Sequence, residues 1–280
     1  MSSDTKVPVG VFDSGYGGLT VLREIVKQLP QYDYLYLGDN ARAPYGNRSF
    51  ETVYQYTWQC VQWFFRQGCP MVILACNTAS AKALRTIQQN DLPQLPEQRR
   101  VLGVIRPTTE EIGHLTRNRH VGILATKGTV SSRSYVIEIE KFFPDIAVQQ
   151  EACPIWVPLV ENNMFSNEGA TYFIRHHVNA LLEKDPQIDT VILACTHYPL
   201  LQEQIQAALP QGVQVVSQGA VVAASFADYL QRHTDMAARL STGGTRQFYT
   251  TDDTDSFDSQ ANTFFGEPVI SRHLDLSTIS

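Results

Sequence analysis

The sequence reads as an α/β protein built from two similar open parallel-sheet domains related by pseudo-twofold symmetry, with the site between them. Three observations carry that expectation. Short apolar runs rich in β-branched residues, at 72–75 and 191–194, lack the alternation of a half-solvated strand and suit strands covered on both faces. Both runs then end alike, as Ala75-Cys76-Asn77-Thr78 and Ala194-Cys195-Thr196-His197, passing from strand into polar residues that start helices. Other stretches echo at near-constant spacing: 121–126 resembles 9–14 and 213–216 resembles 101–104, each 112 residues on, while the cysteines lie 119 apart (76 and 195). The seam is expected near Ile105-Arg106-Pro107. One discontinuous domain, 1–105 plus 217–280, would carry Asp13 and Cys76, and a second, 106–216, would carry Glu161 and Cys195.

Taken in order, residues 7–12 form a first buried strand, followed by the glycine-rich turn Asp13-Ser14-Gly15-Tyr16-Gly17-Gly18 and an amphipathic helix over 19–29. A second strand, 34–37, ends at Gly38-Asp39, and a long loop runs from Asn40 to Arg48. Ser49 suits an N-cap, because its hydroxyl can accept an unpaired backbone N–H of the first turn. The helix 50–67 carries a stripe at Val53, Tyr56, Cys60, Trp63 and Phe64, and Gly68 stops it. The first cysteine strand, 71–75, leads to a helix over 79–89. Residues 90–100, with Pro93 and Pro96 and no periodicity, read as loop, and 101–105 as strand. The second half supplies strands at 121–126, 191–194 and 213–216 and a helix over 220–232. A strand at 247–250 and a helix at 255–265 return the chain to the first domain.

The gross numbers exclude several classes. At 280 residues and 43% hydrophobic, the chain can build one large α/β domain or two ordinary ones. A formal net charge of −6 leaves no electrostatic footprint for nucleic acid or an anionic membrane. No apolar run approaches the roughly 18 residues that span a bilayer, and the first eight residues lack the apolar centre of a signal peptide. Five cysteines without C-x-x-C or zinc spacing fit free thiols in a reducing cytosol, so a cytoplasmic protein without metal is expected.

The chemistry concentrates at the strand ends, where open α/β sheets bind ligands. A cysteine at a helix N-terminus has its thiolate favoured by backbone N–H groups and the helix dipole. Two such cysteines, Cys76 and Cys195, facing one small substrate form a pair in which one removes a proton from a stereocentre and the other delivers one to the opposite face. Racemisation needs that arrangement, because the roles exchange when the reaction runs backward. Asn77, Thr78 and Thr196 lie in helix-start regions that favour anions such as carboxylates, although such residues also serve as caps. His197 can take the Cys195 proton or hold a charge beside it. Asp13 and Ser14 end the first strand; Asp13 can bind an ammonium group, assist Cys76, or simply cap the next helix. Tyr45 and Gly46 lie on a loop long enough to line the cleft, and Glu161 follows an apolar stretch at 158–160. Gly15-x-Gly17 with Asp39 partly matches a dinucleotide fingerprint, but the third glycine position is Thr20. Cys60, Cys69 and Cys153 read as core residues. A non-catalytic two-domain binder is the rival reading, and it has no need of paired thiols.

The segments Phe12-Asp13-Ser14-Gly15-Tyr16-Gly17-Gly18, Gly38-Asp39-Asn40-Ala41-Arg42-Ala43-Pro44-Tyr45-Gly46, Ala75-Cys76-Asn77-Thr78-Ala79 and Ala194-Cys195-Thr196-His197-Tyr198-Pro199 together resemble the bacterial glutamate racemases of the aspartate/glutamate racemase family. The resemblance spans about 9–216 and implies cofactor-independent interconversion of L- and D-glutamate, supplying peptidoglycan synthesis, by a homodimer of two-domain subunits. It implies Cys76 and Cys195 as the acid/base pair, with Asp13, Glu161 and His197 assisting the thiols. Ser14, Tyr45, Gly46, Asn77, Thr78 and Thr196 match substrate-binding positions, as do Asp13 and His197. A related racemase acting on aspartate is the nearest alternative. No motif accounts for the tail beyond Arg239.

Overall fold

The computed structural model describes residues 6–278. Its strands form two parallel sheets. The first contains β1 (Val9–Asp13), β2 (Tyr34–Gly38), β3 (Met71–Leu74) and β4 (Arg100–Gly103). The second contains β5 (His120–Ala125), β6 (Ala147–Ala152), β7 (Thr190–Ala194) and β8 (Gln214–Ser217), after which β9 (Arg246–Thr250) and β10 (Ser271–His273) return to the first. The orders are β10-β9-β2-β1-β3-β4 and β6-β5-β7-β8, so β2-β1-β3-β4 and β6-β5-β7-β8 are one arrangement used twice. Register repeats as well: Gly10 pairs with Val72, and Gly122 with Val191. The spacing echo in the sequence is therefore a repeat of topology.

Burial explains which strands were legible. β1, β2, β3 and β7 are buried along their whole length, as strands covered on both faces must be. β6, by contrast, lies at an edge with Gln149, Gln150 and Glu151 only partly covered, and its polarity hid it from an apolar-run reading. One apolar core joins the halves: Leu19, Leu22 and Ile25 of the helix Gly18–Gln28, Leu193 of β7 and Tyr198 just after it, and Phe226 and Leu230 of the helix Gln218–Arg232 belong to the same cluster. Separate clusters cover the outer face of each sheet, one under the helix Phe50–Arg66 and one under Ile105–Leu115 and Ser134–Phe142.

Two local expectations are corrected. The strand expected over 101–105 stops at Gly103, and Ile105 opens the helix Ile105–Leu115, so the expected seam lies inside a helix. Pro107 is tolerated there because the first turn has no intrahelical use for its missing N–H. The helix expected over 79–89 is broken into Asn77–Lys82, Leu84–Thr86 and a π-helical turn Ile87–Asp91, followed by a 3-10 turn Leu92–Gln94 in the stretch read as loop. Ala79, Ala83 and Ile87 are all fully buried, so one apolar face survives the breaks. Ser49 caps its helix as expected, accepting the Thr52 N–H at 3.1 Å, and Gly68 takes φ +89° after it. Among the described residues no helix is long and apolar enough to cross a membrane.

Candidate active site

Each cysteine follows an inner strand of its sheet, β3 or β7, at the C-terminal edge. Cys76 is the N-cap of the helix Asn77–Lys82, and its Sγ accepts the Ala79 N–H at 3.4 Å. Ser14 Oγ lies 3.5 Å from the same sulfur. Cys195 differs from the expectation: a 3-10 turn, Tyr198–Leu201, separates it from the helix Gln202–Ala208, so it caps nothing. Its neighbour is His197, with Sγ 4.0 Å from Nδ1. The other ring nitrogen, Nε2, meets Glu161 Oε1 at 2.9 Å. Glu161 is the last residue of the helix Trp156–Glu161.

The glycine-rich turn after β1 packs against the residues that follow β7. Thr196 Oγ1 donates to Asp13 Oδ2 at 3.4 Å, and Thr20 Oγ1 lies 3.0 Å from the Thr196 carbonyl. A Cβ on Gly17 would sit 2.2 Å from Thr196 Oγ1 and 2.5 Å from His197 Nδ1, so only glycine admits this approach. Asp13 is fully buried; its Oδ1 accepts the Gly15 N–H at 2.8 Å. Asp13, Ser14 and Cys76 thus stand on one side, and Thr196, His197, Glu161 and Cys195 on the other, joined through Asp13 and Gly17. Of Tyr45 and Gly46, only Gly46 bonds to the second half, at the helix Lys127–Ser132 that follows β5. The Gly46 carbonyl accepts the Gly128 N–H at 2.8 Å, whereas the buried Tyr45 hydroxyl donates to Asp39 and not across the sheets. Thr78 Oγ1 lies 3.0 Å from Thr126 Oγ1.

Burial dominates the electrostatics. It raises the Asp13 carboxyl above its ordinary range, an effect opposed by the His197 charge and the Gly15 and Gly18 N–H groups. The Cys76 thiol is pushed up to about 12 by burial, with the Asp13 charge adding to it. The helix-start N–H lowers it as the sequence suggests, but burial raises it more, which favours the thiol at Cys76. His197 moves the other way. Burial alone would lower it, yet hydrogen bonds to Cys195 and Glu161 carry it up to about 10, so the imidazole holds a proton beside Cys195. One side therefore offers a neutral thiol beside a carboxyl, and the other a sulfur beside an imidazolium. Such a pair can take a proton from one face of a carbon and return one to the other. Cys60, Cys69 and Cys153 are buried free thiols with raised values, as core cysteines are.

Sequence reasoning missed four contributors: Thr126, Phe264, Tyr135 and Gln218. Thr126 stands 112 residues after Ser14 (14 and 126), so the repeat itself marked it. Phe264, from the tail helix Thr254–Phe265, sets its ring edge-on to His197 with centroids 5.2 Å apart. Tyr16 stacks on Phe257 and Phe264, so the tail walls this side of the site. Tyr135 and Gln218 meet Asn77 from distant segments, and nothing local in the sequence signals them.

Residues 9–226 match the family model described as Asp/Glu/Hydantoin racemase. A protein named glutamate racemase from Ruegeria sp. (strain TM1040) is 41% identical over 267 residues, covering 91% of this chain and 96% of its own length. Among solved structures, glutamate racemase isoform RacE1 from Bacillus anthracis superposes with a TM-score of 0.87 at 32% identity, covering 96% of this chain and 98% of that one. Glutamate racemase from Francisella tularensis subsp. tularensis SCHU S4, solved in complex with D-glutamate, gives 0.86 at 29% identity, with 98% and 99% covered.

Proposed function

We propose, for a chain that belongs to the Asp/Glu/hydantoin racemase family, that its reaction is the interconversion of L- and D-glutamate by two cysteines acting from opposite faces of the α-carbon. The protein is an enzyme, an amino-acid racemase. Glutamate as its substrate is supported by the names of its relatives and by the D-glutamate complex of the Francisella protein. The observation that carries the mechanism is the pairing of Cys76 and Cys195 at equivalent strand ends of two matching sheets, linked through Asp13 and Thr196.

In this reading Cys76 serves one enantiomer with Asp13 as its proton partner, and Cys195 serves the other with His197, which Glu161 holds. Ser14, Tyr45, Gly46, Asn77, Thr78 and Thr196 surround the substrate. Acid–base transfer of this kind is worth about 10²–10⁴-fold, so most of the acceleration must come from orientation and from stabilising the carbanion. The two sheets with their helices act as the two domains, the chain crossing between them ahead of the helix Ile105–Leu115 and again after β8; the subunit works in the cytoplasm as a homodimer, feeding D-glutamate to peptidoglycan synthesis. The ellipticity of purified protein incubated with each single enantiomer of glutamate and of aspartate tests the substrate. Decay to zero with both glutamate enantiomers is expected, and decay with aspartate alone would replace glutamate in this reading.

A further inference from the structure

The contact around Asn77 contains a closed ring whose direction is forced. Asn77 Nδ2 donates to Gln218 Oε1 at 2.7 Å, and the Tyr135 hydroxyl donates to Asn77 Oδ1 at 2.7 Å. Gln218 Nε2 closes the ring by donating to the Tyr135 hydroxyl. Amide nitrogens only donate and amide oxygens only accept, so the tyrosine must receive from Gln218 and give to Asn77. The second Gln218 N–H is directed to Thr108 Oγ1, at 3.0 Å, and the Val104 carbonyl, at 3.2 Å, which fixes the amide against flipping. All four side chains are buried: Asn77, Thr108, Tyr135 and Gln218. They come from four separate segments, namely the start of the helix Asn77–Lys82, the helix Ile105–Leu115, the helix Ser134–Phe142 and the start of the helix Gln218–Arg232.

We propose that Tyr135 and Gln218 are positioning residues that aim the Asn77 amide, and with it the Cys76 turn, from across the two sheets. The ring engages one Asn77 Nδ2 hydrogen and so sets the direction of the other, which on this proposal is the one that meets the substrate carboxylate. Neither Tyr135 nor Gln218 need touch the substrate for this. This inference rests on the glutamate reading for its kinetic consequence but not for its mechanical one.

Two variants separate the ring from simple packing. Tyr135→Phe removes the hydroxyl and leaves Asn77 Oδ1 without its donor. Gln218→Glu keeps volume but offers only acceptors when ionised, so the tyrosine must turn round to donate to it, and Asn77 loses its donor again. Wild-type turnover of glutamate is measured first and tests the functional reading alone. Each variant is then expected to lose on the order of tenfold in kcat/KM, mainly through KM, the scale of one buried hydrogen bond left unmade. The double variant should lose little more than either single one, because the ring breaks once. Alkylation of Cys76 by iodoacetamide, followed by peptide mass, needs no substrate and should quicken in both variants as the turn loosens. A variant that melts lower while kcat/KM and the alkylation rate stay at wild-type values would overturn the proposal.

Discussion

Asp13 and His197 are buried ionisable groups at the junction of the two sheets, and the carboxyl owes its state partly to the imidazole. The His197 charge restrains the rise of the Asp13 carboxyl, while Cys195 and Glu161 hold the proton on His197. The sign of the consequence is fixed by linkage. His197 is lifted from 6.5 to about 10, so its contribution to stability is full below about pH 6.5 and drains away as pH climbs through about 10. Replacing Glu161 by Gln removes one of the two groups that lift it. The alkaline limb of the kcat profile of Glu161→Gln should therefore lie at lower pH than that of wild type. An unmoved limb would mean that His197 does not hold the proton that matters to turnover. The cysteines themselves were legible because their contexts repeat. The thiol state of Cys76 was not, since burial, which a linear sequence does not display, outweighs the helix-start effect that it does.

At the scale of elements, the glycine-rich turn between β1 and the helix Gly18–Gln28 sets the spacing of the two strand ends. Gly17→Ala places a methyl group 2.2 Å from Thr196 Oγ1, and both turns are packed too closely to give way freely. A loss of about 1–3 kcal/mol of stability is expected from such overpacking. Activity should fall further than stability alone explains, because Asp13 and His197 move apart. Denaturant unfolding beside kcat/KM checks this, and a variant with wild-type kcat/KM would show that the spacing is not critical. The fully covered strands β1, β2, β3 and β7 were readable as apolar runs, and Ser49 and Gly68 as helix punctuation. The apolar run at 101–105 gave no sign of its end, because Val104 and Ile105 are buried whether they lie in strand or helix. Contacts such as Phe264 on His197 join residues far apart in the chain, and no local pattern encodes them.

Across the whole molecule, one core cluster runs from β1 through the helices Gly18–Gln28 and Gln218–Arg232 into the second sheet. That continuity argues for a single cooperative unit. Phe226, 3% exposed within this cluster, should cost about 3–5 kcal/mol when replaced by alanine. Trp63 lies under the first sheet and Trp156 in the shared core, so variants retaining only one of them, with Trp58 replaced in both, report the outer cluster and the shared core separately. Coincident urea transitions are expected in both, before and after Phe226→Ala, and two separated midpoints would contradict the single unit. The repeated sheet order is the whole-molecule counterpart of the paired cysteines, since it sets Cys76 and Cys195 after equivalent strands, β3 and β7, of the two sheets. The most direct measurement of that claim is incorporation of deuterium at the α-carbon in heavy water, starting from each pure enantiomer of glutamate. Wild type should exchange both, while Cys76→Ser and Cys195→Ser should each exchange only one, opposite enantiomers, with interconversion abolished. A serine variant that still racemises glutamate fully would contradict it.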